Sequence, residues 1–169
     1  MPKLKLTDTN YYTPEANTAY MSASTYKALL NCEAGGLATI RGEFSPEPSV
    51  AFLVGSYVHS WADGTFKQFV DAHPELFRRD GALKAEYVKA DEMIEALERQ
   101  PVLMKYLDGE HEVIRTGQIF GVPFKCKIDV LHDRAIVDLK TAKDFEDIYV
   151  AGEGRIPFIE AFQYDVAAY

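Results

Sequence analysis

The chain has 169 residues, of which 47% are hydrophobic and 26% charged, with a net charge of −8. That is enough for one ordinary domain with its own core, and the mixture is that of a globular protein rather than a disordered or fibrous one. The acidity weighs against a protein that coats DNA non-specifically. It weighs much less against one that contacts phosphate through a local basic patch.

No run approaches the eighteen or so apolar residues that a membrane span needs. Met1-Pro2-Lys3-Leu4-Lys5 leads into no apolar signal-peptide segment, so a cytoplasmic protein without membrane contact is expected. Cys32 and Cys126 are too few for a disulfide framework or a four-cysteine metal site. They are expected to be reduced and buried.

In chain order, residues 1–20 are polar and rich in Asn, Thr and Tyr, and read as an extended arm ahead of a single domain over 21–169. Ser22 is placed to cap a helix carrying Thr25, Tyr26, Leu29 and Leu30, with a stop near Gly35-Gly36. Ser45-Pro46-Glu47-Pro48-Ser49 is a loop by composition. A long helical segment over 50–72 follows, with Phe52, Val54, Tyr57, Val58, Trp61, Phe66 and Phe69 broadly at a 3.6-residue period. His73-Pro74 stops it. A second helix over 83–97 turns Tyr87, Met93, Ile94 and Leu97 inward, and a short third covers 102–107.

The grammar then changes to short β-rich runs over 111–120, 124–131 and 135–139. Gly121-Val122-Pro123 and His132-Asp133-Arg134 separate them, which predicts a three-stranded antiparallel meander. Past Lys143 the chain is expected to be helical again, to break at 152–154, and to finish in an apolar helical run from Phe158 to Tyr169. That run lacks a terminal Gly, Pro or polar cap, so the domain is expected to continue on its C-terminal side.

The chemistry concentrates on the last hairpin. A loop of two residues (Asp133-Arg134) or of four (His132–Ala135) sets Asp129 opposite Asp138. Opposed residues share a sheet face with Cβ atoms about 5 Å apart, and Lys140, two residues on, shares it too. Each aspartate sits in an apolar strand, between Ile128 and Val130 or between Val137 and Leu139. Two carboxylates forced together repel one another, and a divalent cation removes the conflict. Mg²⁺ is commonly held by one or two carboxylates with waters and substrate phosphates. Lys140 would stand beside it to orient a water or steady developing charge. His59 follows Gly55 by one helical turn, and a glycine there lets backbone or phosphate approach the imidazole. In the last helix, Gln163, Tyr164 and Tyr169 offer amide and phenol groups.

Gly55-x-x-x-His59, Lys127-Ile128-Asp129, Val137-Asp138-Leu139-Lys140-Thr141 and a Gln/Tyr helix, in that order, resemble the PD-(D/E)xK nucleases. The pattern is closest to the RecB-like and RecE-like exonucleases of phages and prophages. The opening Ser22-Ala23-Ser24-Thr25 helix with Cys32 at its end is similar as well. The resemblance covers about residues 21–169. It implies an α/β (α+β) restriction-endonuclease-like core, a central mixed sheet with an antiparallel meander flanked by helices.

It further implies Asp129, Asp138, the Leu139 carbonyl and His59 as ligands of Mg²⁺ or Mn²⁺, and Lys140 as the catalytic lysine. Either Glu112 or Glu110 is a further acidic ligand, and Gln163 and Tyr169 are additional candidates. The family's last motif usually spaces Gln and Tyr by four residues; here Ala167 holds that place, and Tyr169 lies beyond it. Some relatives carry an iron–sulfur cluster on one early and three late cysteines. Cys32 could match the early one, but these residues hold no late trio, so no cluster is expected. Lys67, Lys84, Lys125, Lys127 and Lys143 are candidates to guide a DNA backbone. The implied activity is double-strand end processing of DNA in phage-type recombination, with a single-strand annealing protein as a possible partner and a homo-oligomer as a possible assembly. A structure-specific or restriction-type endonuclease, or a non-catalytic DNA-binding module, is the alternative.

Overall fold

The computed structural model describes residues 4–45 and 47–164. Among them the chain forms two compact units. One is drawn from Met1–Ser45, Thr116–Cys126 and Ala142–Tyr169, the other from Pro46–Arg115 and Lys127–Thr141.

The second unit holds the helical core. α4 (Val50–Ala62) starts at Ser49, whose hydroxyl accepts from Phe52 N, and presents Tyr57 and Val58 inward. The helix expected over 50–72 is in fact two. Asp63 Oδ1 accepts from both Thr65 N and Thr65 Oγ1, and Gly64 takes φ +77. This local turn competes with the helix and separates α4 from α5 (Phe66–Ala72). α6 (Ala85–Glu98) buries Tyr87, Ala90 and Ile94, with Met93 and Leu97 only partly covered. α7 (Pro101–Leu107) begins on a proline, whose missing N–H costs nothing at that position. Tyr57, Val58, Leu76, Tyr87, Ala90 and Ile94 form the core, with Leu53, Trp61, Phe66, Phe69 and Leu139 against it.

β1 (Glu110–Ile119), β2 (Val122–Leu131) and β3 (Ile136–Val137) form a sheet in the order β1-β2-β3. Phe120 and Gly121, at φ 49 and 79, make the two-residue turn with both central φ values positive that closes a tight hairpin. β2 and β3 pair antiparallel, Val130 with Val137 and Leu131 with Ile136. With Leu131 and Ile136 as the last pair, His132–Ala135 connects the strands, and His132 N donates to Ala135 O at 2.9 Å across it. Met21 and Phe124 form an isolated parallel bridge outside the named strands; the central mixed sheet expected from sequence is not what forms among the described residues, the paired strands β2–β3 and β4–β5 being antiparallel.

The first unit corrects several sequence expectations. The supposed extended arm contains α1 (Pro14–Ala19), capped by Thr13, and buries Tyr11, Ala16 and Tyr20. Ser22 caps α2 (Ala23–Asn31) in a reciprocal capping box with Thr25. Gly35-Gly36 does not stop a helix; it lies inside α3 (Glu33–Arg41), which ends at left-handed Gly42. A Cβ on Gly36 would meet the Leu29 backbone nitrogen at 2.8 Å, so this glycine serves the close approach of α2 and α3.

Cys32 and Cys126 are free but exposed rather than buried. Cys32 spans two helix ends, and on β2 it is Lys125 that faces inward. Lys125 Nζ donates to Tyr11 O and to Asn17 Oδ1 and lies 4.6 Å from the Tyr11 ring centroid. Burial lowers its pKa. It is therefore not a surface guide for DNA. The region after Lys143 is not helical at first. β4 (Ile148–Val150) and β5 (Gly154–Ile156) form a hairpin, whose turn uses Gly152 at φ 90. The β-branched Ile148, Val150 and Ile156 favour the strands, and the break expected at 152–154 is this turn. α8 (Phe158–Ala161) follows. Among the described residues no helix is long and apolar enough to cross a membrane.

Tyr57 links α4 to α6, its hydroxyl donating to Asp91 Oδ1 at 2.7 Å. Burial, then this hydrogen bond, raises the phenol pKa. The native state thus holds the proton through the range where an unfolded tyrosine, near pH 10, releases it. The stability that this contributes is present below about pH 10 and lost as pH rises above it. Tyr57→Phe is expected to cost about 1 kcal/mol near pH 7. The gap from the parent should narrow toward about pH 11, as read by urea denaturation at both values.

Candidate metal centre

Four segments of the second unit build the centre. α4 supplies His59, one residue beyond the buried Tyr57 and Val58. Gly55, a turn earlier, faces Thr141, whose Oγ1 would lie 3.4 Å from a Cβ placed there. β1 supplies Glu112, whose backbone adopts φ 55, a left-handed conformation that costs a non-glycine residue about 1 kcal/mol or more. β2 supplies Asp129 and, two residues earlier on the same face, Lys127. The chain leaving β3 supplies Asp138, Leu139 and Lys140.

His59, Glu112 and Asp129 each place a ligand atom within 4.8 Å of the others. His59 Nδ1 lies 3.7 Å from Asp129 Oδ2, and the same oxygen accepts from Leu139 N at 2.7 Å. The β2–β3 pairing runs to Val130↔Val137, and Asp138 follows directly on the end of β3. The Asp138 carboxylate, however, is not in the group of three. It accepts from Lys140 Nζ at 2.6 Å. Of the two glutamates left open by sequence, Glu112 belongs to the group and Glu110 does not.

Glu112 Oε2 also pairs with Lys127 Nζ at 2.5 Å, the lysine side chain being 16% exposed. Lys127 therefore faces the acidic cluster rather than open solvent. Sequence reasoning missed this role, although the i, i+2 relation to Asp129 would have suggested it. Gln163 belongs to the other unit and sits past α8 at φ 52. Tyr169 lies outside the described residues. Of the remaining basic candidates, Lys67 is paired with Asp71 and the exposed Lys143 lies 4.0 Å from Asp144.

Burial raises the pKa of Asp129 above its ordinary value, opposed by His59, by the Leu139 N–H and by Lys140, and reinforced by Asp138. The geometry explains this. Glu112 and Asp138 each have a lysine in contact, whereas Asp129, at 17% exposure, has an imidazole and a backbone N–H as its close partners among the described residues. A divalent cation fits the donor set. Two carboxylates and an imidazole are donors that such an ion takes.

The family model for a PDDEXK-like domain of unknown function (DUF3799) matches residues 22–169. The chain belongs to this family. Its mixed α+β architecture, antiparallel sheets flanked by helices, is that of the PDDEXK fold. A crystal structure of a “putative exonuclease” from Eubacterium rectale is 40% identical to the PDDEXK-like chain and superposes with a TM-score of 0.86. The match covers 96% of this chain and 64% of that one, so the chain spans under two thirds of that protein's length. No curated protein matches.

The Asp129 environment makes a stability ranking in chelator. Asp129→Asn keeps an acceptor for Leu139 N and removes a buried charge, so its melting temperature should equal or exceed the parent's. Asp129→Ala leaves the Leu139 N–H unpartnered and should lose about 1–3 kcal/mol. Thermal denaturation of the three proteins in EDTA checks the order.

Proposed function

We propose that this PDDEXK-like chain is a metal-dependent deoxyribonuclease, an exonuclease that processes double-strand DNA ends in phage-type recombination. The single observation that carries the reading is the convergence of His59, Glu112 and Asp129 within 4.8 Å, in a chain of this family. The E. rectale protein's description favours exonuclease over other nuclease activities.

Mg²⁺ or Mn²⁺, when bound, supplies the Lewis acidity and positive charge that phosphodiester hydrolysis requires. Asp129, Glu112 and His59 would hold it, with Asp138 and the Leu139 carbonyl as the neighbouring donors that the family pattern implies. Lys140 is held by Asp138 at 2.6 Å, half-exposed at the edge of the centre. From there its ammonium would position a water against the scissile phosphate and oppose the negative charge that builds during attack. Leu139 anchors this segment in the helical core, so Asp138 and Lys140, its neighbours, are presented from a fixed base. The partner implied is DNA. A single-strand annealing protein and a homo-oligomeric state belong to the recombination setting.

With Mg²⁺ or Mn²⁺ the protein is expected to degrade linear duplex DNA and to leave covalently closed circles intact. Asp129→Asn and Lys140→Ala should each lower the rate by on the order of 10²-fold or more. Cleavage of closed circles at a comparable rate would favour a restriction-type or structure-specific endonuclease. Binding of DNA with no cleavage under either ion would leave a non-catalytic module.

A further inference from the structure

We propose that Lys127 is a built-in counter-ion of the centre, competing with the divalent cation for Glu112 and so setting the affinity with which the metal is held. The inference rests on the metal-centre reading above and assigns a role to a residue outside its ligand set.

Lys127 Nζ lies 2.5 Å from Glu112 Oε2. Glu112 is one of the three residues whose ligand atoms converge, so the ammonium sits where part of the cation's charge compensation would otherwise come from. The pair is not a loose surface contact. Lys127 is 16% exposed and Glu112 30%, against 37% and 52% for the Lys140–Asp138 pair. Both partners come from neighbouring strands, β1 and β2. The left-handed backbone of Glu112 at φ 55 is an unfavourable conformation that the surrounding structure must maintain, and it fixes where the carboxylate starts.

Lys127 and Asp129, two residues apart on β2, share a face. One brings a cation to the centre and the other a carboxylate. A divalent ion that takes Glu112 as a ligand must share or displace the ammonium. A dication and an ammonium about 5 Å apart, even in water-like surroundings, repel enough to change affinity by on the order of tenfold. If Lys127 served only to orient Glu112, its removal would weaken binding, as loss of an orienting partner generally does. The two roles therefore predict opposite signs.

The test is a titration of the whole chain with Mn²⁺ alone, the free ion being counted by its electron paramagnetic resonance signal. Lys127→Gln, which keeps a hydrogen-bond donor without the charge, and Lys127→Met are compared with the parent, Lys127→Arg and Asp129→Asn. Circular dichroism confirms that each is folded. The expected result is Mn²⁺ binding about tenfold tighter in Lys127→Gln and Lys127→Met, near-parental binding in Lys127→Arg, and loss of binding in Asp129→Asn. Tighter binding in the neutral variants when the parent binds too weakly to measure would support the proposal equally. Equal or weaker binding in both neutral variants, with the parent binding and Asp129→Asn not, would overturn the counter-ion role and leave the metal centre standing. No Mn²⁺ on any folded variant would overturn both.

Discussion

The antiparallel register of β2 and β3 is the constraint on which the arrangement of charged groups depends. Val130 pairs with Val137 and Leu131 with Ile136, and Val130 is 1% exposed. A slip of one residue would exchange the two faces, driving Asp129 toward the position that Val130 fills. Gly109 makes room for the pairing as it stands, since a Cβ there would come 2.6 Å from Val130 Cγ1 and 2.9 Å from Leu131 O. A buried valine and a glycine with no side chain thus hold the strand that carries Asp129 in its register.

Charge is distributed unequally over the centre. Glu112 and Asp138, the more exposed acids, each have an ammonium in contact. Asp129, the most enclosed, accepts from a backbone N–H and faces an imidazole. Burial disfavours its ionised form, and His59, the Leu139 N–H and Lys140 offset part of that cost. Such imbalance is common where a group is kept for chemistry rather than for stability.

The hairpin was legible in sequence because β periodicity and the turn residues at His132–Ala135 act over short range, and register then follows by counting. Gly55 and His59 were legible for the same reason, as residues one helical turn apart. The partner of Glu112 was not, because it depends on how β1 pairs with β2. Gly35-Gly36 was misread because a glycine that relieves close helix packing looks, in one dimension, like a glycine that ends a helix. The arm was misread because its buried tyrosines, Tyr11 and Tyr20, flank α1 rather than lie on it and leave no helical stripe. Cys126 and Lys125 exchanged their expected places because the lysine finds Tyr11 O and Asn17 Oδ1 inside, and composition alone assigns cysteine to the interior.

Leu139 belongs at once to two structures. Its side chain packs against the core of Tyr57, Val58, Leu76, Tyr87, Ala90 and Ile94, and its N–H holds Asp129. The helical core is therefore the foundation on which the charged groups stand, reaching them through Leu139 and through α4, which carries His59 beside Tyr57 and Val58. A change of side-chain volume at a hydrocarbon position such as Leu76 or Ile94 therefore bears on where Leu139 N meets Asp129, at a distance from any charged group.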